Sequence, residues 1–132
     1  MNLTNEADCQ SPLISVVDDD PSVRNSARRL LRSSGLRAEA FASGDDFLHS
    51  EFVGKTDCLL LDVYMPGMNG LELQRRLTAM GWQIPIVFLS AKASEDEERQ
   101  ALQGGAVAFL HKPARQEALL QAIRAAITPG AA

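Results

Sequence analysis

Five short apolar runs recur along the chain, at 13–17, 37–41, 58–61, 84–89 and 107–110, and each is followed by a stretch of helical periodicity. Runs such as CLLL and IVFL are apolar at every position rather than at alternate ones. Continuous apolarity marks strands covered on both faces, as in a parallel sheet with helices on each side. The helical stretches cover roughly 21–34, 44–50, 70–80, 94–103 and 115–127. Five strand–helix units in this order predict a doubly wound α/β domain. Pro85 falls at the opening of the fourth run, where a strand tolerates proline. Residues 1–11 read as a flexible leader and 12–128 as the domain, with 129–132 a short tail after the helix stop at TPG.

In doubly wound sheets, ligands bind beyond the carboxyl ends of the strands, so the residues just past each run carry the functional signal. Asp18, Asp19 and Asp20 follow the first run, Asp62 the third, Ser90 the fourth, and Lys112 the fifth, beyond His111. The second run ends in FASGDD without a reactive group at its tip, which suits an edge strand. Neighbouring strands lie about 4.8 Å apart, so adjacent tips can share a ligand. Asp20 before Pro21 has a structural explanation, an N-cap with proline in the first turn.

Asp18, Asp19 and Asp62 need a different account. Two carboxylates at about 4 Å repel by about 4 kcal/mol at an effective dielectric of about 20. Such a cluster calls for a hard divalent cation, Mg²⁺ or in its place Mn²⁺. Asp62 is the candidate nucleophile, because carboxylates form acyl phosphates when nearby cations neutralise the phosphoryl oxygens. Ser90 can donate a hydrogen bond to such an oxygen, and Lys112 can supply countercharge. Singly, each is ordinary: a solvated acidic pair, a turn serine, an exposed Lys-Pro. Together they are specific.

Of the 132 residues 45% are hydrophobic and 23% charged, as expected for one globular domain with a real core. A net charge of −4 and a pI near 5.1 argue against direct nucleic-acid binding. No apolar run reaches the length of about 20 residues needed to span a bilayer, and MNLTNEADCQSP has no signal-peptide character. Cys9 and Cys58 fit neither a disulfide framework nor a metal spacing. The expected location is the cytoplasm.

With these residues in view, the chain resembles the receiver domains of two-component response regulators. VVDDDPSVR, LLLDVYMPGMNGLEL, PIVFLSA and GAVAFLHKP fall in the family's order and spacing, from Leu13 to Ile127. SVVDDDPSVRNSARRLL and FASGDDFL are most similar to the FixJ-type subgroup. The resemblance implies a flavodoxin-like (βα)5 sheet with strand order 2-1-3-4-5. It implies that Asp18 and Asp19 hold Mg²⁺ with Asp62 and the backbone carbonyl of Tyr64, and that Asp62 accepts the phosphoryl group. Ser90 and Phe109 take the switch positions, and Lys112 the lysine position, whose bond to Pro113 is often cis in the family. A sensor histidine kinase or a histidine phosphotransfer protein is the implied donor. The output is a downstream protein or an output domain beyond this sequence, with phosphorylation-dependent homodimerisation through the fourth helix and fifth strand. The implied activity is limited to the domain's own phosphoryl transfer and dephosphorylation.

Three positions depart from the pattern. Ala114 follows Lys-Pro where the family often has Phe, Tyr64 is bulky for a position bordering the phosphoryl group, and Lys92 shares that mouth. Tyr64 is expected to screen an acyl phosphate from water. The helix at 94–103 concentrates acidic residues in its first turn and has few apolar anchors, chiefly Leu102, so it is expected to be weakly held. His49 and His111 are expected at the surface or its boundary, and Trp82 at the end of the sheet opposite the site. An aspartyl phosphatase on a similar scaffold is the competing enzyme reading; it wants a second aspartate where Tyr64 stands. A binding module that works without phosphate is a further alternative.

Overall fold

The computed structural model describes residues 11–128; residues 1–10 of the expected leader, Cys9 among them, and the tail at 129–132 lie outside them. Five strands, β1 (Leu13–Val17), β2 (Arg37–Phe41), β3 (Cys58–Leu61), β4 (Ile86–Ser90) and β5 (Ala108–His111), form one parallel sheet in the order β2-β1-β3-β4-β5. The helices are α1 (Pro21–Ser33), α2 (Gly44–Leu48), α3 (Gly70–Ala79), α4 (Glu95–Gln103) and α5 (Gln116–Ile127), with a 3-10 turn at Val53–Lys55. No described helix is long and apolar enough to cross a membrane.

Successive strand residues alternate between two cores, which is why the apolar runs are continuous. Leu59, Leu61, Ile86 and Phe88 pack with Leu73 and Leu77 of α3 and Ala101 of α4. Cys58, Leu60, Val87 and Leu89 face the other way, onto Ala27 and Leu31 of α1 and Leu119 and Ile123 of α5. Burial pushes the Cys58 thiol up to about 12, with the charge of Asp57 adding to it.

Three expectations shift. β4 begins at Ile86, because Pro85 has no N–H to give; its carbonyl still accepts from Leu59 at 2.8 Å. Ser90, paired with His111, is the last residue of β4 rather than the first beyond it, and β5 runs one residue later than predicted. Leu102 is not the anchor of α4: it is 45% exposed, and Ala101 is the buried residue. The helix buries one methyl group there, and Gln74 Nε2 of α3 donates to the Ala101 carbonyl at 2.9 Å. Trp82 lies against Gly54, in the loop ahead of β4 and away from the strand tips, as expected.

Candidate functional site

Parallel register sets Val17 beside Leu61, so β1 and β3 deliver Asp18 and Asp62 from adjacent tips. Both are buried, at 3% and 7% exposure, whereas Asp19 is exposed. Carboxylate oxygens of Asp18, Asp19 and Asp62 all lie within 4.8 Å of one another. Lys112 reaches in from the end of β5, with Nζ 2.8 Å from Asp18 Oδ2 and 3.5 Å from Asp62 Oδ2. Its backbone N–H donates to the Ser90 carbonyl at 2.9 Å, and its bond to Pro113 is cis. Together with Asp20, Ser90, Ala91, Lys92 and Tyr64 these groups line a cavity of about 320 Å³.

Surrounding contacts fix the acidic groups. Asp18 Oδ1 accepts from the Asp20 N–H at 2.9 Å, and Arg24 donates to the Asp18 carbonyl at 2.8 Å. Asp20 caps α1 by accepting from Ser22 N–H at 2.9 Å, with Pro21 opening the helix. Asn69 caps α3 by accepting from Glu72 N–H at 2.9 Å, which ends the loop after Asp62. Burial raises the Asp62 carboxyl above the ordinary carboxylate range, the charge of Asp18 adds to this, and Lys112 partly offsets both. At Lys112 burial pulls the ammonium down, but Asp18, with Asp62 behind it, more than compensates and leaves it raised. The carboxylates repel and the Lys112 ammonium does not neutralise them. Three hard oxygen donors in this state can hold a divalent metal ion.

Ser90 is 1% exposed, and its buried Oγ has no hydrogen-bond partner among the described residues. Leaving a buried hydroxyl unpaired costs about 1–3 kcal/mol, so this donor suits an incoming oxygen. Phe109 stands outside the cavity. Its half-buried ring stacks on Phe88 at 5.6 Å between centroids and meets the His111 ring at 5.3 Å. His111 is exposed, as expected, and is 2.9 Å from Glu98 of α4; His49 is also exposed.

Tyr64 is 47% exposed at the cavity rim, and its hydroxyl donates to Glu97 Oε1. That bond is the largest cause of a raised phenol pKa. Glu97 closes a capping box with Ser94 and is held below the usual carboxylate range, first by the Ser94 N–H and then by Tyr64.

Three contributors escape a reading of the sequence. Arg24 is one of several arginines in α1, with nothing to single it out. Glu97 reads only as one of four acidic residues in a first turn. Gly70 has the signal NG before a helix, but its reason is spatial: a Cβ there would stand 2.1 Å from the Asp62 carbonyl oxygen.

Residues 14–124 match the response regulator receiver domain family. The chain belongs to that family. The receiver is 43% identical over 118 residues to response regulator protein TmoT of Ectopseudomonas mendocina, an alignment covering 89% of this chain and 54% of TmoT. The solved structure of response regulator StyR matches with a TM-score of 0.83 at 44% identity, over 89% of this chain and 59% of that one. The structure of FixJ-N matches with a TM-score of 0.81 at 29% identity, over 93% and 98%. Similarity to FixJ-type regulators is thereby supported. The receiver spans about half the length of the curated relatives it matches.

Proposed function

We propose that this domain, taken as residues 12–128, is a phosphorylation-activated switch whose phosphoacceptor is Asp62. The observation that carries this is the convergence of Asp18, Asp19 and Asp62 within 4.8 Å, with Lys112 Nζ bridging two of them. A carboxylate oxygen of Asp62 attacks the phosphorus of a phosphohistidine on a sensor kinase or phosphotransfer protein. A P–O bond forms, the P–N bond breaks, and its electron pair stays on the donor imidazole. Asp18, Asp19, Asp62 and the Tyr64 carbonyl would hold Mg²⁺, or Mn²⁺ in its place, which supplies positive charge for the phosphoryl oxygens. Lys112 exchanges its carboxylate partners for a phosphoryl oxygen, and Ser90 Oγ donates to another.

The turn of Ser90 toward the phosphoryl group frees space into which Phe109 rotates, altering the surface of α4, β5 and α5. Added charge is thus read by a bistable aromatic. The domain catalyses only its own phosphoryl transfer and dephosphorylation. The cytoplasm, where histidine kinases present their phosphohistidine, is the proposed location, and phosphorylation-dependent pairing of two copies is the proposed assembly.

Intact mass after incubation with Mg²⁺ and acetyl phosphate tests the assignment. One added phosphoryl group, absent in Asp62→Asn and absent without Mg²⁺, is the expected result. No adduct from acetyl phosphate or from any histidine kinase tried would favour a phosphate-independent binding module. A second reading concerns output: the receiver spans about half of its relatives, which favours the receiver half of a longer DNA-binding regulator. The length of the native reading frame decides it.

A further inference from the structure

The floor of the acidic cavity is buried, with Asp18, Asp62 and Ser90 all below 10% exposure, whereas its rim includes the half-exposed ring of Tyr64. That ring is tethered at both ends, by its own backbone two residues after Asp62 and by its hydroxyl on Glu97 Oε1. The same Oε1 accepts from the Ser94 N–H at 2.9 Å, and Ser94 Oγ accepts from Glu97 N–H at 3.1 Å. Glu97 cannot swing freely, because the capping box fixes its side chain on the first turn of α4. A tyrosine held by a fixed acceptor keeps one rotamer; a tyrosine without one samples several.

We propose that Glu97 is a positioning residue for the phosphoryl site: it holds Tyr64 across the rim of the cavity and thereby slows the approach of water to a phosphoryl group on Asp62. This rests on the reading of Asp62 as phosphoacceptor. It also couples the acidic cavity to the first turn of α4, since anything that draws Glu97 away shortens the life of the acyl phosphate. A partner bound to the acidic turn of α4 would do so.

The experiment is the decay of phosphorylated protein in Mg²⁺ after removal of acetyl phosphate, followed by intact mass. Tyr64→Phe keeps the ring and the capping box but loses the tether. Glu97→Ala loses tether and box, whereas Glu97→Gln retains an acceptor and a residue that still closes the box. Tyr64→Phe and Glu97→Ala are each expected to decay about two- to fivefold faster, the range one exposed charge-assisted bond can hold. Their combination should be no faster than either alone, and Glu97→Gln should restore slow decay. A melting curve separates the effects: loss of the box lowers the midpoint of Glu97→Ala but not of Tyr64→Phe. Wild-type decay in Tyr64→Phe, or additive effects in the double variant, would overturn the inference alone. If the wild-type chain gains no phosphoryl group, or gains it elsewhere than Asp62, the underlying reading falls and the inference falls with it.

Discussion

A methyl group on Gly70 would lie 2.1 Å from the backbone carbonyl oxygen of Asp62. The first turn of α3 is pressed against the peptide of Asp62, and the Gly70 N–H donates to the Val63 carbonyl at 2.8 Å. Neither side can yield without moving backbone. Gly70→Ala is therefore expected to destabilise the fold by about 2 kcal/mol or more, the cost of overpacking a rigid contact. It should also weaken Mg²⁺ binding, because Asp62 is what must shift. Urea unfolding and a Mg²⁺ titration check both; an unchanged midpoint would show that α3 slides freely.

Asp62→Asn should raise the stability of the metal-free protein at neutral pH. Burial, then Asp18, raises the folded pKa of Asp62 above its unfolded value. Between the two values the folded state holds more protons than the unfolded one, so stability falls as pH rises through that window. Above it the full penalty of a buried charge remains, and asparagine never carries it. Melting curves in chelator from pH 4 to 8 should show the wild type falling behind the variant as pH rises. Mg²⁺ should reverse the order, since free ion at ten times its Kd adds about 1.4 kcal/mol to a fold that binds it.

Lys112→Gln separates two functions of the same pocket. Removing the ammonium 2.8 Å from Asp18 leaves the carboxylates less neutralised, so Mg²⁺ affinity is expected to rise. Phosphoryl gain should fall by at least about tenfold, because the positive charge proposed to meet the phosphoryl oxygens is lost. Isothermal titration with Mg²⁺ and timed intact mass measure the two. A parallel fall in both would place Lys112 in folding rather than chemistry.

Cys58 should resist thiol reagents in the native state. Its thiol is fully buried between β3 and the α1–α5 layer and is pushed up to about 12, so almost no thiolate exists at pH 8. Peptide mapping after iodoacetamide should find Cys58 modified only in denaturant. Labelling under native conditions would reveal opening of that layer.

The framework of the site was legible because it is local. Each of these residues lies one or two positions past an apolar run, so Asp18, Asp62, Ser90 and Lys112 could be read as a set once the parallel sheet was read. Asp20 was legible as a cap for the same reason. What was hidden depends on side chains that meet across long stretches of chain. Tyr64 finds Glu97 through the angle at which α4 leaves β4, and no spacing encodes that angle. The error over Leu102 has a similar origin. In a nine-residue helix with one buried position, a leucine looks like the anchor until the packing shows the neighbouring alanine in its place.

That alanine has a consequence for the molecule's history. A helix seated on the core by Ala101 and its cap leaves its outer residues almost free of folding constraints. Apart from Glu97, which holds Tyr64, and Glu98, which meets His111, sequence drift there would be tolerated, so new surface characters could be tried without disturbing the acidic pocket. The chemistry is held rigid while the address written on α4 stays editable.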